Sequence, residues 1–173
     1  MDEDAPGIDA WKAQTSAFDR VRSVTETVSE PRPASYIANE AYVAENTARD
    51  HLERLAEMNV LLKTERDGTT FYSPDPLHTR MQLLRDLLDS HDRDELIQLK
   101  ADLQTEIETW REEYAVDSPD ELRGCAAETD ESEETRAVLQ TAGDWELVRY
   151  RLEAVEDAIE HYATYTRYSR AFA

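Results

Sequence analysis

The chain has 173 residues and a formal net charge of −20, from 19 Lys+Arg against 39 Asp+Glu. This length holds one domain or two small ones, and its single cysteine, Cys125, excludes both an intramolecular disulfide framework and a cysteine zinc cluster. No apolar run approaches the roughly 18–20 residues of a membrane span, and the acidic start MDEDAPG is unlike a signal peptide, so a cytoplasmic location is expected.

With four glycines and six prolines, the chain is expected to be mostly helical. Residues 1–8 lack periodicity and read as a flexible acidic tail. Asp9 can cap a helix running to about Ser29, with Trp11, Phe18, Val21, Val24 and Val28 as its apolar stripe. Pro31 and Pro33 stop it. A short helix is expected from Ala34 to about Glu40, with Ser35 as a possible cap and Ile37 and Ala38 inward. Ala41–Ala44 reads as a turn with Val43 buried. The next helix spans Glu45 to about Met58; Ala48, Leu52, Leu55 and Met58 step by four and three and so share one face. Asn59 fits a C-cap. From Leu61 the pattern predicts a β-hairpin turning at Asp67-Gly68, a dipeptide that tolerates positive φ, and Pro74 and Pro76 end it.

From Leu77 the pattern changes to long helices. The first covers Leu77–Asp89, with Leu77, Met81, Leu84, Leu87 and Leu88 apolar. A second starts at Asp92 or Asp94 and ends near Val116, with the seam Leu96, Leu99, Leu103, Ile107, Trp110 and Tyr114. Ser118–Leu122 is a fresh helix start with proline at the first position. Residues 124–134 are polar and acidic and are expected as a loop. The last helix runs from about Glu134 or Asp144 to Tyr168, with the seam Trp145, Val148, Leu152, Val155, Ile159 and Tyr162. Both seams are heptad-like and pair either with each other or with a second chain.

The order helix, proline break, short helix, turn, helix, hairpin resembles the winged helix-turn-helix of ArsR, MarR and PadR-like transcription regulators. Ile37-Ala38, Val43, Thr47-Ala48, His51-Leu52, Leu55, Val60-Leu61, Gly68 and Tyr72 carry the resemblance, over about residues 16–75. It implies a winged helix-turn-helix domain over 9–75 (three helices and a hairpin wing) and a coiled-coil-like helical dimerisation domain over 76–173. The implied partner is double-stranded DNA, bound by a homodimer. Early residues of the 45–58 helix face the major groove: Arg49 suits guanine, Asn46 adenine, Asp50 the amino group of cytosine, and Thr47 also points outward. Lys63 and Arg66 on the 61–73 wing suit phosphate or the minor groove, and Ser35 and Tyr36 a phosphate oxygen. Arg20 and Arg22 are weaker candidates. The alternatives are a helical domain whose outward charges are merely solvated and a winged helix used only for protein contacts.

Acidity opposes the DNA reading at low salt. Residues 44–72 carry four basic and six acidic side chains. The excess acid is spread: one basic against four acidic over 1–15, seven against 11 over 16–75, and 11 against 24 over 76–173. With three lysines and many small apolar residues, this composition fits a haloarchaeal cytoplasm, where molar salt cuts the screening length to about 3 Å. There, binding would lean on base edges, DNA shape and bridging cations rather than counterion release.

The seam residues, from Leu96 to Trp110 and from Trp145 to Tyr162, are the expected dimer surface. Cys125 reads as a silent thiol, and His51, His78, His91 and His161 lack metal-ligand spacing. Tyr162, Tyr165 and Tyr168 beside His161 read as core or interface before ligand pocket. No glycine-rich phosphate loop, nucleophile elbow or zinc helix signature occurs, so neither an enzyme nor a cofactor is expected.

Overall fold

A computed structural model describes residues 6–126 and 132–167. The chain is mostly helical with one small antiparallel sheet, and it divides into two compact units, Met1–Met81 and Gln82–Ala173.

In the first unit the single helix expected over Asp9–Ser29 is two: α1 (Pro6–Gln14) and α2 (Ala17–Thr27). Two hydroxyls interrupt the ladder. Thr15 donates its hydroxyl back to the Trp11 carbonyl, and Ser16 caps α2 by accepting from the Asp19 N–H at 3.1 Å. Residues 6–8, expected in the tail, are helical, while 1–5 lie outside the described residues. The weaker DNA candidate Arg20 is engaged within the chain. Its guanidinium donates to the carbonyls of Thr15 at 2.7 Å and Ala41 at 3.0 Å, tying the end of α1 to the end of the next helix.

That helix, α3 (Ala34–Glu40), follows a two-residue strand, β1 (Arg32–Pro33). Ser35 is not its cap; Pro33 holds that position without a side-chain bond. Val43 is half-buried rather than buried. α4 (Glu45–Glu57) buries Ala48, Leu52 and Leu55, but Met58 is 57% exposed. The reason is the turn that closes α4. Asn59 sits at φ +57°, its N–H bonds the Ala56 carbonyl and the Val60 N–H bonds that of Leu55 at 2.9 Å. This Schellman closure satisfies the last carbonyls and brings Val60, not Met58, onto Leu55 in the core.

Strands β2 (Leu61–Arg66) and β3 (Thr69–Pro74) form the expected hairpin. Asp67 and Gly68 both have positive φ, +50° and +74°, as a two-residue type I′ turn requires. The sheet order is β1-β3-β2, with Arg32 opposite Tyr72 and Lys63 opposite Tyr72 on the other side. Val21, Ile37, Leu52, Leu55, Leu61 and Tyr72 form the centre of this unit's core.

α5 (Pro76–Ser90) crosses the boundary between the units. Leu87 is buried, but Leu77 and Met81, expected in its apolar line, are 79% and 48% exposed. In the second unit α6 (Arg93–Tyr114) starts with a full capping box: Asp92 accepts from the Asp94 and Glu95 N–H groups, and Glu95 accepts from that of Asp92. α7 (Pro119–Ala126) extends into the expected loop, and α8 (Ser132–Glu160) begins earlier than expected; 127–131 lie outside the described residues. α8 ends at Glu160, short of Tyr168, and a single turn, α9 (Tyr162–Tyr165), follows. Tyr168 itself lies outside the described residues.

The two seams meet within the one chain. Leu96 and Leu103 of α6 cluster with Val155 and Ala158 of α8, whereas Ile107 clusters with Trp145 and Ala142. The early part of one helix meets the late part of the other, so they run antiparallel. Lys100 and Glu156 bridge them at 2.9 Å. α7 closes the Trp145 end with Leu122, Ala126 is buried as well, and Arg123 pins the helix to Glu146 of α8 at 2.7 Å.

Candidate nucleic-acid interface

In the first unit α3, α4 and the hairpin share one surface. A cleft of about 350 Å³ opens there, lined by Pro33–Ser35, by Glu45, Arg49 and Glu53 of α4, and by Gly68–Thr70 and Tyr72 of the hairpin. The α4 residues in it are four apart, one turn above another, on a face about 90° around the helix from the buried Ala48–Leu52–Leu55 line. Ser35 and Arg49 are the two expected contact residues that line it.

The others stand on the same elements. Asn46 and Asp50 are exposed on α4, but Thr47, expected outward, is half-buried. Tyr36 is exposed with the Arg32 guanidinium 4.8 Å over its ring. Arg66 is exposed and lies 5.8 Å over Phe71. Arg32 is an addition: it reaches this face only because β1 pairs with β3, and a two-residue strand carries no periodic signal.

The cations come with counterions. Arg49 meets Glu45 at 2.6 Å, and Lys63 meets Glu53 at 2.6 Å. Glu53 also accepts the Tyr72 hydroxyl at 2.7 Å. One carboxylate thus joins α4 to both strands of the hairpin, through two side chains that are direct neighbours across the ladder. Sequence reading gave Glu53 no role, because its partners lie 10 and 19 residues away.

The hydrogen bonds from Lys63 and then from Tyr72 hold the Glu53 carboxyl below its ordinary value of 4.5. Burial, and then the bond to Glu53, push the Tyr72 phenol well above its ordinary range. A depressed carboxylate adds stability that is present above pH 4.5 and is lost as the pH falls through the folded-state value. The stability advantage of wild type over Glu53→Gln should therefore shrink between about pH 6 and about pH 3, as followed by urea unfolding of the first unit. An advantage independent of pH would show that the charge of Glu53 contributes nothing.

The model of DUF7342, a family of unknown function, matches residues 15–164. The chain belongs to the DUF7342 family. No curated protein matches it. The DUF7342 match takes in the whole of α2–α8 and with it every residue of the cleft.

The eleven residues expected at a dimer surface all lie in the chain's own clusters. Leu96, Leu103, Ile107, Trp145 and Val155 are buried, and Leu99, Trp110, Val148, Leu152, Ile159 and Tyr162 pack half-buried against them. That apolar surface is therefore occupied within one protomer. Cys125 is exposed. His161 bonds Asp157 at 2.9 Å and stacks at a tilt on Tyr165, which is exposed, so these two face solvent rather than a pocket. Among the described residues no group of three His, Cys, Asp or Glu side chains gathers as metal ligands, and no helix is long and apolar enough to cross a membrane.

Proposed function

We propose that this chain is a sequence-specific DNA-binding transcriptional regulator, not an enzyme, that works as a homodimer in a salt-rich archaeal cytoplasm. On this reading residues 9–75 are a winged helix-turn-helix, α4 is its recognition helix and β2–β3 its wing. Asn46, Arg49 and Asp50 read base edges; Lys63, Arg66, Ser35 and Tyr36 hold the backbone. The observation that carries it is the shared surface of α3, α4 and the hairpin, with Arg49 in the cleft between them. A helix presented with its early residues outward and a hairpin at its side fits a major groove with an adjacent backbone.

A second reading has one observation in its favour. Glu45 and Glu53 neutralise Arg49 and Lys63, which suits a winged helix that docks on protein rather than on phosphate. Fluorescence anisotropy of a duplex from the gene's own promoter, in molar KCl, separates the two. Arg49→Ala and Asn46→Ala should each weaken specific binding by about 10- to 100-fold, the worth of one bidentate base contact. Unchanged binding in both variants would remove the recognition role of α4.

A further inference from the structure

A second cleft lies wholly within the Gln82–Ala173 unit, where α6, the start of α7 and α8 meet. Its volume is about 450 Å³, within the range of small-molecule sites. The floor is apolar: Ile107, Pro119 and Trp145 are buried there, and Leu152 is a half-buried wall. Charged groups of both signs stand around it. Arg111 and Glu108 come from α6, Asp117 from just ahead of α7, and Arg149 from α8.

These charges are weakly committed within the protein. Arg111 meets Glu108 at 3.4 Å, one turn away on an exposed helix face, and such a pair contributes little. Arg149 has Glu146 one turn away on α8, but that carboxylate is held by Arg123 at 2.7 Å. Among the described residues no opposite charge lies within 4.0 Å of Arg149 or of Asp117, although both line one cavity. Charge then decides the guest. Residues 76–173 carry 11 basic side chains against 24 acidic ones, so a bare anion meets a repulsive field and shares the cleft with Asp117 and Glu108. A bare cation shares it with two guanidiniums. A guest with one charge of each sign meets neither penalty and gives both Arg149 and Asp117 a partner. The floor receives an apolar body.

We propose that this cleft binds an α-amino acid with an apolar side chain. Arg149 and Arg111 take its carboxylate, Asp117 takes its ammonium group, and the side chain lies on the Ile107–Pro119–Trp145 floor. The site belongs to the second unit alone and stands or falls independently of the DNA reading. Titration calorimetry of the full chain in molar KCl at about pH 6, where α-amino groups are charged, tests it with L-phenylalanine as the probe. L-Phenylalaninamide keeps the ammonium group and lacks the carboxylate; hydrocinnamate keeps the carboxylate and lacks the ammonium group. Wild type should bind L-phenylalanine about tenfold or more tighter than either, the worth of one charge-assisted hydrogen bond. Arg149→Gln should erase the margin over the amide, and Asp117→Asn the margin over hydrocinnamate. Both side chains are exposed, so helical circular dichroism should stay intact in the variants. Glycine, with both charges and no apolar body, should also bind about tenfold or more weakly than L-phenylalanine. The assignment is overturned by no saturable heat with L-phenylalanine, by equal affinity for it and either analogue or glycine, or by margins that survive the two substitutions.

Discussion

Replacing Trp145 with alanine should lower the unfolding free energy of the Gln82–Ala173 unit by about 3–5 kcal/mol, the range for emptying a buried aromatic site. Trp145 is 1% exposed at the junction of three helices, among Ile107, Leu122 and Ala142, with Trp110 at a centroid distance of 5.9 Å. No single neighbour can fill the space, because the residues around it belong to α6, α7 and α8 and each is held by its own helix. The Arg123–Glu146 pair beside it offers little compensation, since both groups are partly solvated. A domain of this size has a total stability of roughly 5–15 kcal/mol. The substitution therefore removes about a fifth of it or more, and a thermal melt followed by circular dichroism should drop by about 4–8 °C for each kcal/mol lost. A drop of only a few degrees would mean that α7 does not pack on the α6–α8 pair as described.

Local patterns were legible in the sequence, and contacts between distant segments were not. The Ala48–Leu52–Leu55 line and Asp67-Gly68 marked α4 and the hairpin because helix periodicity and positive φ are properties of neighbouring residues. The same periodicity misled at helix ends. It carried the first helix through Thr15-Ser16, where hydroxyl bonding to the backbone outweighs a continuing apolar stripe. It also carried the α4 line one step too far to Met58, past the left-handed Asn59 that turns the chain away. Composition misled over 124–134, where acidic sequence suggested loop but Ala126 is buried and Ser132–Glu134 begin α8. Of the candidate interface, the α4 side chains were readable by register. Glu53 as the link from α4 to the hairpin and Arg32 as part of that face were not, since each depends on pairing across the sheet.

On the DNA-binding reading proposed above, those ion pairs set the expected salt response, the property in which this chain should differ most from a basic repressor. A protein that places six to ten cations on phosphates loses about 10³- to 10⁵-fold in affinity as salt rises from 50 to 200 mM, because released counterions drive its binding. Here Arg49 and Lys63 can reach phosphate or base only by leaving Glu45 and Glu53. The counterion released from DNA is then matched by a cation taken up at the vacated carboxylate, and the net release from these contacts is close to zero. The −20 charge adds a general repulsion that salt relieves. Affinity for the promoter duplex should therefore change less than about tenfold over a fourfold rise in KCl, or increase. Glu45→Gln should restore part of the ordinary behaviour. It frees Arg49 without touching the Glu53–Tyr72 link, and it should make the slope of log affinity against log salt more negative by about one. Anisotropy titrations of wild type and Glu45→Gln from about 0.1 to about 2 M KCl measure both quantities. A wild-type slope as steep as that of a basic repressor would mean that Arg49 and Lys63 are not engaged by their carboxylates in solution.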